Sequence, residues 1–244
     1  MDCKKNALKV AVVTAIFLIE TDKMDECGGI PDKNPDWDYV LFTNDKTKLE
    51  NVEGWDIREI DCSAYTHGVY VSKRIKWFTH EFLPEYDIII WVDCFITPNL
   101  KMLDEINTMI TSVHLNPKMP LIMRTQKFEC IKDDIDWCLT NKRITDEMAA
   151  NVINHIDESG IIKADEKTQT YWSAAIVKNN KHPVLQNMVN ELFELVTKIG
   201  YRDQHWLPYL FKKHNLHCGI NKTKDLFIIT GKQIKENHHY VNFF

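Results

Sequence analysis

The segment Asp87-Ile-Ile-Ile-Trp-Val-Asp93 decides the fold class of this chain. An unbroken apolar run between two acids is typical of a strand that is buried on both faces, and such strands occur mainly in parallel sheets covered by helices. A carboxylate directly after such a run must be hydrogen-bonded, paired or bound to a cation, because an isolated buried charge is too costly. The segment therefore predicts a central strand that ends in a functional acid, Asp93. A capping role in the following turn is the simpler alternative.

The sequence on both sides of this strand alternates between strand-like and helix-like patterns. Further strands are predicted at residues 10–17, 38–45, 55–60, 121–124, 170–177 and 226–230. Helices are predicted at residues 72–82, 100–113, most of 130–162, 184–199 and 204–214. This alternation implies a mainly parallel central sheet flanked by helices. Because there is no internal repeat and no low-complexity linker, we expect one α/β domain over residues 1–244.

Composition excludes several classes of protein. The 244 residues are 44% hydrophobic, which is too apolar for a disordered chain, and the formal net charge of −5 gives no basic footprint for nucleic acid. The apolar run at residues 10–19 is about half the length that a membrane span needs. Seven cysteines without a CxxC pair argue against a zinc knuckle or a thioredoxin motif and favour a reducing compartment. We therefore expect a soluble, cytoplasmic protein, compatible with a bacterial or viral source.

Polar residues that end buried strands are the first candidates for a site, because ligands of open parallel sheets bind outside the carboxyl ends of the strands. Thr14 in the first strand and Asp45 after the second join Asp93 in this class. For Thr14 and Asp45, ordinary turn chemistry is an equal alternative. Cys94 has no histidine or asparagine partner at a recognisable spacing, so a cysteine nucleophile is not expected.

The strand end Trp91-Val-Asp93 resembles the metal-binding strand end of GT-A glycosyltransferases, which often reads Asp-x-Asp. Four further motifs occur in the order found in a family of small glycosyltransferase-like proteins long described only as a domain of unknown function. These are Val13-Thr-Ala-Ile-Phe17, Phe42-Thr-Asn-Asp45, Lys76-x-x-x-His80-x-x-Leu-Pro84-x-Tyr86 and Tyr201-Arg-Asp-Gln204. The resemblance covers about residues 10–212 and implies a single GT-A-like, Rossmann-like domain.

What the resemblance implies is transfer of a sugar from a nucleotide diphosphate donor to a glycan or other hydroxyl acceptor. The donor site would be formed by Thr14, Ala15, Phe17, Asp45, Lys73, Arg74, Lys76 and Asp93. Mn²⁺ or Mg²⁺ bound by Asp93 would neutralise the diphosphate. The chain departs from the pattern because Phe95 replaces the second carboxylate, so His238 or His239 is expected as a further metal ligand. If neither reaches the site, lysine or arginine must carry the phosphate charge.

Asp203 is the candidate general base of an inverting transfer, which needs a carboxylate to take the proton of the acceptor hydroxyl. GT-A folds often place this acid at the start of a late helix. The alternative is a first-turn acid stabilised by the helix dipole, with Arg202 paired to it. Trp172 and Ser173 resemble acceptor-side positions, although a core tryptophan is the simpler interpretation. Asp133-Asp134 is interpreted as a solvated acidic pair.

Two other functional classes stand beside this hypothesis. A non-catalytic GT-A-like module that binds a nucleotide or glycan is supported by Phe95. A nucleotidyltransferase should show a glycine-rich phosphate loop after the first strand, which residues 14–18 lack. Retaining stereochemistry, the donor, the acceptor and the oligomeric state stay open, because similar sheets support many activities.

Overall fold

The computed structural model describes residues 8–17, 27–50, 52–65, 67–200, 202–223 and 225–231. The strands are β1 (Val10–Ile16), β2 (Trp37–Thr43), β3 (Asp56–Glu59), β4 (Ile88–Val92), β5 (Ile96–Pro98), β6 (Leu121–Thr125), β7 (Tyr171–Asn179), β8 (Cys218–Asn221) and β9 (Phe227–Ile229). The α-helices are α1 (Gly68–Trp77), α2 (Thr79–Phe82), α3 (Leu103–Leu115), α4 (Ile131–Thr140), α5 (Asp146–Glu158), α6 (Pro183–Lys198) and α7 (Asp203–Lys213). No helix among the described residues is long and apolar enough to cross a membrane.

The central sheet has seven strands in the order β3-β2-β1-β4-β7-β6-β8. The pairs β3–β2, β2–β1, β1–β4 and β6–β8 are parallel, whereas β7 runs antiparallel to both β4 and β6. A separate pair joins β5 to β9. The predicted mainly parallel, helix-flanked sheet is therefore confirmed, and the antiparallel direction of β7 is an addition to it. That one domain spans residues 1–244 stays a prediction.

Each face of the sheet has its own apolar core, because successive side chains of a strand point to opposite faces. All seven residues of β1 are buried. Val13 belongs to the core that α1, α4, α5, α6 and α7 cover, and Val12 belongs to the core on the α3 side. The continuous apolar run of the sequence thus reflects burial on both faces.

Several element boundaries differ from the sequence prediction. The helix predicted at residues 72–82 begins four residues earlier, at Gly68, and is interrupted at Phe78, which leaves the helical conformation and separates α1 from α2. The short strands β5 and β8 were not predicted. Each has only three or four residues, and Gly219 weakens the strand signal of β8.

The topology places a crevice between β1 and β4. The chain moves from β1 outward to β2 and β3, and then returns to add β4 on the opposite side of β1. Such a reversal is where open α/β sheets bind ligands, at the carboxyl ends of the strands. Helix α1 begins at this edge, since a Cβ atom on Gly68 would lie 2.6 Å from the carbonyl oxygen of Phe17. Only glycine permits this approach of α1 to the end of β1.

Candidate active site

Asp93 lies immediately after β4, at the reversal of strand order. Its backbone N–H donates to the carbonyl of Ala174 at 2.8 Å, and its Oδ1 accepts a hydrogen bond of 3.1 Å from the indole of Trp91. Lys76 Nζ is 4.0 Å from the same oxygen, and 36% of the Asp93 side chain is exposed. Burial raises the pKa of Asp93, while Lys76 and Trp91 oppose that rise. Because a third of the side chain still meets solvent, we treat Asp93 as a carboxylate that a ligand can reach.

Helix α1 brings two lysines to Asp203, and one of them also lies near Asp93. Lys73 and Lys76 are three residues apart and so share one side of the helix. Lys73 Nζ donates to Asp203 Oδ1 at 2.7 Å, and Lys76 Nζ donates to Ser173 Oγ at 2.9 Å. Lys76 Nζ also lies 3.4 Å from Asp203 Oδ2. Two cations that are far from Asp203 in the sequence are therefore paired with it in the fold.

Asp203 is the first residue of α7 and is only 3% exposed. Its Oδ2 accepts hydrogen bonds from the Trp77 indole at 3.0 Å and from Ser173 Oγ at 3.3 Å. Burial alone would raise the pKa of Asp203, but the ammonium groups of Lys73 and Lys76 outweigh it and hold this pKa well below its usual range. A carboxylate with so low a pKa is a weak proton acceptor. The geometry thus favours a role in which Asp203 holds the ammonium groups of Lys73 and Lys76 in place. The general-base role of Asp203 stays a prediction.

These side chains form one group at the carboxyl edge of the sheet. We call Lys73, Lys76, Asp93, Ser173 and Asp203 the carboxyl-edge cluster. Ser173 can join it because β7 is antiparallel, so the beginning of β7 lies beside the end of β4. The cluster combines two ammonium groups with two carboxylates, of which Asp93 is the more exposed.

The far end of α1 is fixed by a buried lysine that sequence reasoning missed. Lys178 on β7 is 2% exposed, and its Nζ donates to the carbonyl oxygens of Lys76 at 2.5 Å and Trp77 at 3.2 Å. Burial, with a contribution from Lys76, lowers the pKa of Lys178 to about 7. Donors at a helix C-terminus satisfy its last carbonyl groups. A lysine after the apolar run 174–177 was the signal that could have identified this contact.

Four other residues were predicted to bind the nucleotide-sugar donor, and none of them belongs to the carboxyl-edge cluster. Thr14, Ala15 and Phe17 are buried in or directly after β1, and the hydroxyl of Thr14 has no hydrogen-bond partner among the described residues. Asp45 accepts a hydrogen bond of 3.0 Å from the backbone of Thr47 and caps the short 3₁₀ helix Lys46–Lys48, which is the turn role. That these four residues bind the nucleotide-sugar donor stays a prediction.

Arg74 does not join the carboxyl-edge cluster. It pairs with Glu81, and its guanidinium lies 3.6 Å from the ring centroid of Phe78. This position follows from helical spacing, because residue 74 falls between Lys73 and Lys76 and faces another direction. Arg74 therefore provides a natural comparison for the two clustered lysines.

The side chains around Asp93 decide whether a divalent cation can bind there. Mn²⁺ and Mg²⁺ prefer several oxygen ligands, but the described neighbours of Asp93 in the cluster are ammonium groups, a hydroxyl and the engaged carboxylate of Asp203. Within the described ranges, the group of residues close enough to hold a metal ion does not include Asp93. These residues alone do not fit a Mn²⁺ or Mg²⁺ centre. His238 and His239 lie outside the described residues, so the prediction of a metal at Asp93 depends on them.

The interpretation of Asp134 as a solvated acid is wrong. Asp134 is 2% exposed and lies between α4 and α7, with Arg202 Nη2 at 3.9 Å from its carboxylate. Arg202 therefore approaches Asp134, not Asp203 as expected, and it also contacts Gln204. The sequence contained the signal, because Ile131, Asp134, Ile135 and Cys138 have the i, i+3, i+4, i+7 spacing of one buried helix face.

Two concave surfaces formed by the described residues lie away from this cluster. One is lined by residues that include Trp37, Asp38 and Arg58, and the other by residues that include Glu191 and Lys213. Neither contains a carboxylate at the end of a central strand. The first is a rival location for a ligand and is used below as a comparison.

Comparisons with known proteins find similarity among solved structures. No protein-family model matches the chain, and no curated protein matches it in sequence. Among solved structures, the chain is similar to the apo form of the bifunctional glycosyltransferase WbbM, with a TM-score of 0.48 and 15% identity. The match covers 91% of this chain and 40% of that chain, so this chain spans less than half of the WbbM length. This similarity concerns the course of the backbone, and the proposals below rest on the side chains of the carboxyl-edge cluster.

Proposed function

We propose that this chain is a nucleotide-sugar-dependent glycosyltransferase, which transfers a sugar from a nucleoside diphosphate donor to a glycan or another hydroxyl acceptor. The observation that carries the proposal is the meeting of Asp93, Lys73 and Lys76 at the carboxyl ends of the central strands. The motif order described above supports the same reaction.

The lysines provide the charge that this reaction needs. Negative charge develops on the diphosphate leaving group as the sugar departs, and cations held in place beforehand stabilise it. Asp203 contacts both Lys73 and Lys76, so their ammonium groups are oriented before a donor arrives. Asp93 is the exposed acid beside them and is positioned to accept hydrogen bonds from donor hydroxyl groups.

Stereochemistry and metal dependence belong to the proposal as expectations. Inversion would use Asp203 as general base, and for this its ion pairs with the lysines would have to loosen when the donor binds. A Mn²⁺ or Mg²⁺ ion would add charge stabilisation if His238 or His239 joins Asp93. We derive no step through a metal ion, because the described residues do not form its site.

A second candidate function is a non-catalytic module that binds a nucleotide or glycan. Two observations favour it: Phe95 replaces the second carboxylate of the motif and is buried, and Asp203 is fully engaged by its neighbours. The transferase and a nucleotide-binding module both bind the nucleotide, but only the transferase turns the donor over. An experiment must therefore measure both.

The test uses thermal shift with a panel of nucleotide sugars, each with and without Mn²⁺, followed by an assay for release of the nucleoside diphosphate. At a donor concentration of about 100 times Kd, binding should stabilise the native state by about 2.7 kcal/mol. The proposal predicts this shift with one class of donor, together with nucleotide release. A shift without release in the presence of acceptors would favour the binding module. No shift with any donor would overturn the transferase and the nucleotide-binding module, and would leave the glycan-binding module.

Asp93→Asn is the informative variant, and Asp87→Asn is its matched control. Asp87 precedes β4 and pairs with Lys181 at 2.7 Å, so the two acids flank the same strand at opposite edges of the sheet. We expect Asp93→Asn to abolish the donor-induced shift and Asp87→Asn to retain it. Equal shifts in both variants would contradict the assignment of Asp93 to the donor site.

A further inference from the structure

A second group of reactive side chains lies between α4 and α7 and takes no part in the proposed transfer. Asp134 and Cys138 are one turn apart on α4, and His205 belongs to the first turn of α7. All three are buried. Cys138 Sγ lies 3.6 Å from Asp134 Oδ1 and 3.8 Å from His205 Nε2, and His205 Nε2 lies 3.6 Å from Asp134 Oδ2.

The three residues form a triangle of potential metal ligands, in which the distances from Cys138 and His205 to Asp134 end at different carboxylate oxygens. At 3.6 Å the imidazole and the carboxylate are too far apart for a hydrogen bond. A tetrahedral zinc ion has bonds of about 2.0 Å to nitrogen and oxygen and about 2.3 Å to sulfur, which places its ligand atoms about 3.3–3.6 Å from one another. The printed sulfur–oxygen, nitrogen–oxygen and sulfur–nitrogen distances are close to this spacing, and one ligand atom of each residue lies within 4.8 Å of the others. In the described part of the chain, this is the group with metal-ligand spacing.

We propose that Asp134, Cys138 and His205 bind a divalent transition-metal ion of the zinc type, which joins α4 to the start of α7. Three protein ligands leave a fourth position for water or another small ligand. The sulfur and nitrogen ligands favour zinc over Mg²⁺ or Ca²⁺, which prefer oxygen. This site is separate from the Mn²⁺ or Mg²⁺ expected at Asp93.

Binding of the metal ion changes both the charge and the protonation of its ligands. The Cys138 thiol loses its proton to solvent as the metal–sulfur bond forms, so the thiolate and the Asp134 carboxylate together neutralise the 2+ ion. His205 binds as a neutral imidazole, and burial lowers its pKa well below the usual range. Burial raises the pKa of the Cys138 thiol to about 12 in the metal-free protein. Because one proton is released, the apparent metal affinity should fall about tenfold for each unit by which the pH is lowered.

The alternative is a metal-free ion pair in which Arg202 neutralises Asp134. Arg202 Nη2 lies 3.9 Å from Asp134 Oδ1, which is an ion-pair distance but too long for a hydrogen bond. In the metal-bound protein Arg202 would remain beside the carboxylate as an outer neighbour, as often occurs around metal ligands. The two accounts therefore differ in whether a metal is bound and in whether the thiol is ionised.

A metal ion at this site would also affect the carboxyl-edge cluster. His205 is two residues after Asp203 in the first turn of α7, so an ion shared with α4 would fix the helix that carries Asp203. The proposal does not depend on glycosyl transfer. Metal content is measured without donor or acceptor, so failure of one proposal is distinguishable from failure of the other.

The first test is the metal content of the purified full chain, measured by mass spectrometry without added chelator. We expect about one zinc ion per chain in the wild type and a near-complete loss in Cys138→Ser. Cys130→Ser is the control, because Cys130 is a buried cysteine directly before α4 and lies outside the triangle. Equal metal content in the two variants would overturn the site.

A second measurement holds even if Cys138→Ser fails to fold. Wild-type protein is stripped of metal and titrated with Co²⁺, which reports thiolate coordination by a sulfur-to-metal charge-transfer band and tetrahedral geometry by its visible bands. The proposal predicts both signals, their displacement by Zn²⁺ and a higher melting temperature with either ion. A wild-type chain that carries no metal, shows no charge-transfer band and melts at the same temperature with and without Zn²⁺ would overturn the proposal in favour of the Asp134–Arg202 ion pair.

Discussion

Replacing Asp203 by asparagine is expected to lower the free energy of unfolding by about 3–5 kcal/mol, because it removes the carboxylate that pairs with Lys73 and the nearer of the two carboxylates beside the buried Lys76. For a chain of this size, that corresponds to a fall in Tm of roughly 6–20 °C. Asparagine keeps the shape of the side chain, so the effect reports charge and not a cavity. Chemical denaturation and thermal melting of the two proteins measure it.

The control for this prediction is Asp136→Asn. Asp136 pairs with Lys132 across one turn of α4, and both side chains are about half exposed. Exposed pairs of this kind contribute about 0.3–0.5 kcal/mol, so the same substitution should change stability little. If the two variants lose equal stability, Asp203 is not the buried anchor described here.

The pH dependence of the Asp203→Asn effect has a defined sign. The folded-state pKa of Asp203 is depressed by Lys73 and Lys76, so the native state binds fewer protons than the unfolded state at acid pH. The stabilisation by Asp203 is fully present above the unfolded-state pKa of about 3.9 and is lost as the pH falls below it toward the folded-state value. The stability difference between wild type and variant should therefore be constant above about pH 5 and narrow below pH 4.

The same variant separates two roles of Asp203 in turnover. A general base alone would give a loss of about 10²–10⁴-fold in turnover with unchanged donor affinity. An anchor for the lysines would weaken donor affinity as well, because Lys73 and Lys76 lose their orientation. We expect the second result, and unchanged donor affinity and stability would contradict it.

Replacing Lys73 by methionine is expected to weaken binding of the nucleotide-sugar donor by about 10- to 100-fold, which corresponds to one charge-assisted hydrogen bond. Methionine preserves most of the apolar stem, and Asp203 keeps Lys76 as its partner. Isothermal titration calorimetry with the donor identified by thermal shift measures the effect. Because the proposed contact is to a charged phosphate, the wild-type affinity should also fall with added salt.

Arg74→Met is the matched control for Lys73→Met. Both positions are basic, adjacent and on α1, but Arg74 pairs with Glu81 and stacks on Phe78, away from the cluster. Donor affinity should therefore be nearly unchanged in Arg74→Met. Equal losses in the two variants would indicate a general electrostatic effect and would remove Lys73 from the donor site.

The sequence predicted the features that depend on local pattern. The apolar run before Asp93 predicted a buried central strand, and the pattern at residues 72–82 predicted the helix that carries Lys73 and Lys76. It did not predict the pairing of Lys73 with Asp203, because 130 residues separate them and only the sheet topology brings them together. The antiparallel direction of β7, which brings Ser173 to the cluster, is likewise a property of strand order.

Asp134 shows a different limit. Its acidic neighbour Asp133 made the pair resemble a polar helix surface, although the spacing of Ile131, Ile135 and Cys138 placed Asp134 on the apolar face. A buried acid on such a face requires a partner from another element, and its neighbours Arg202 and His205 are 68 and 71 positions later in the sequence. Periodicity identifies the face, whereas the identity of the partner requires the fold.

The central claim is that the donor binds at the carboxyl edge of the sheet, and hydrogen–deuterium exchange of the full chain with and without the donor tests it most directly. The account predicts protection in residues 14–17, 68–77, 93–96, 171–175 and 202–206. Protection confined to the concave surface around Trp37 and Arg58, with no change at these five segments, would contradict it.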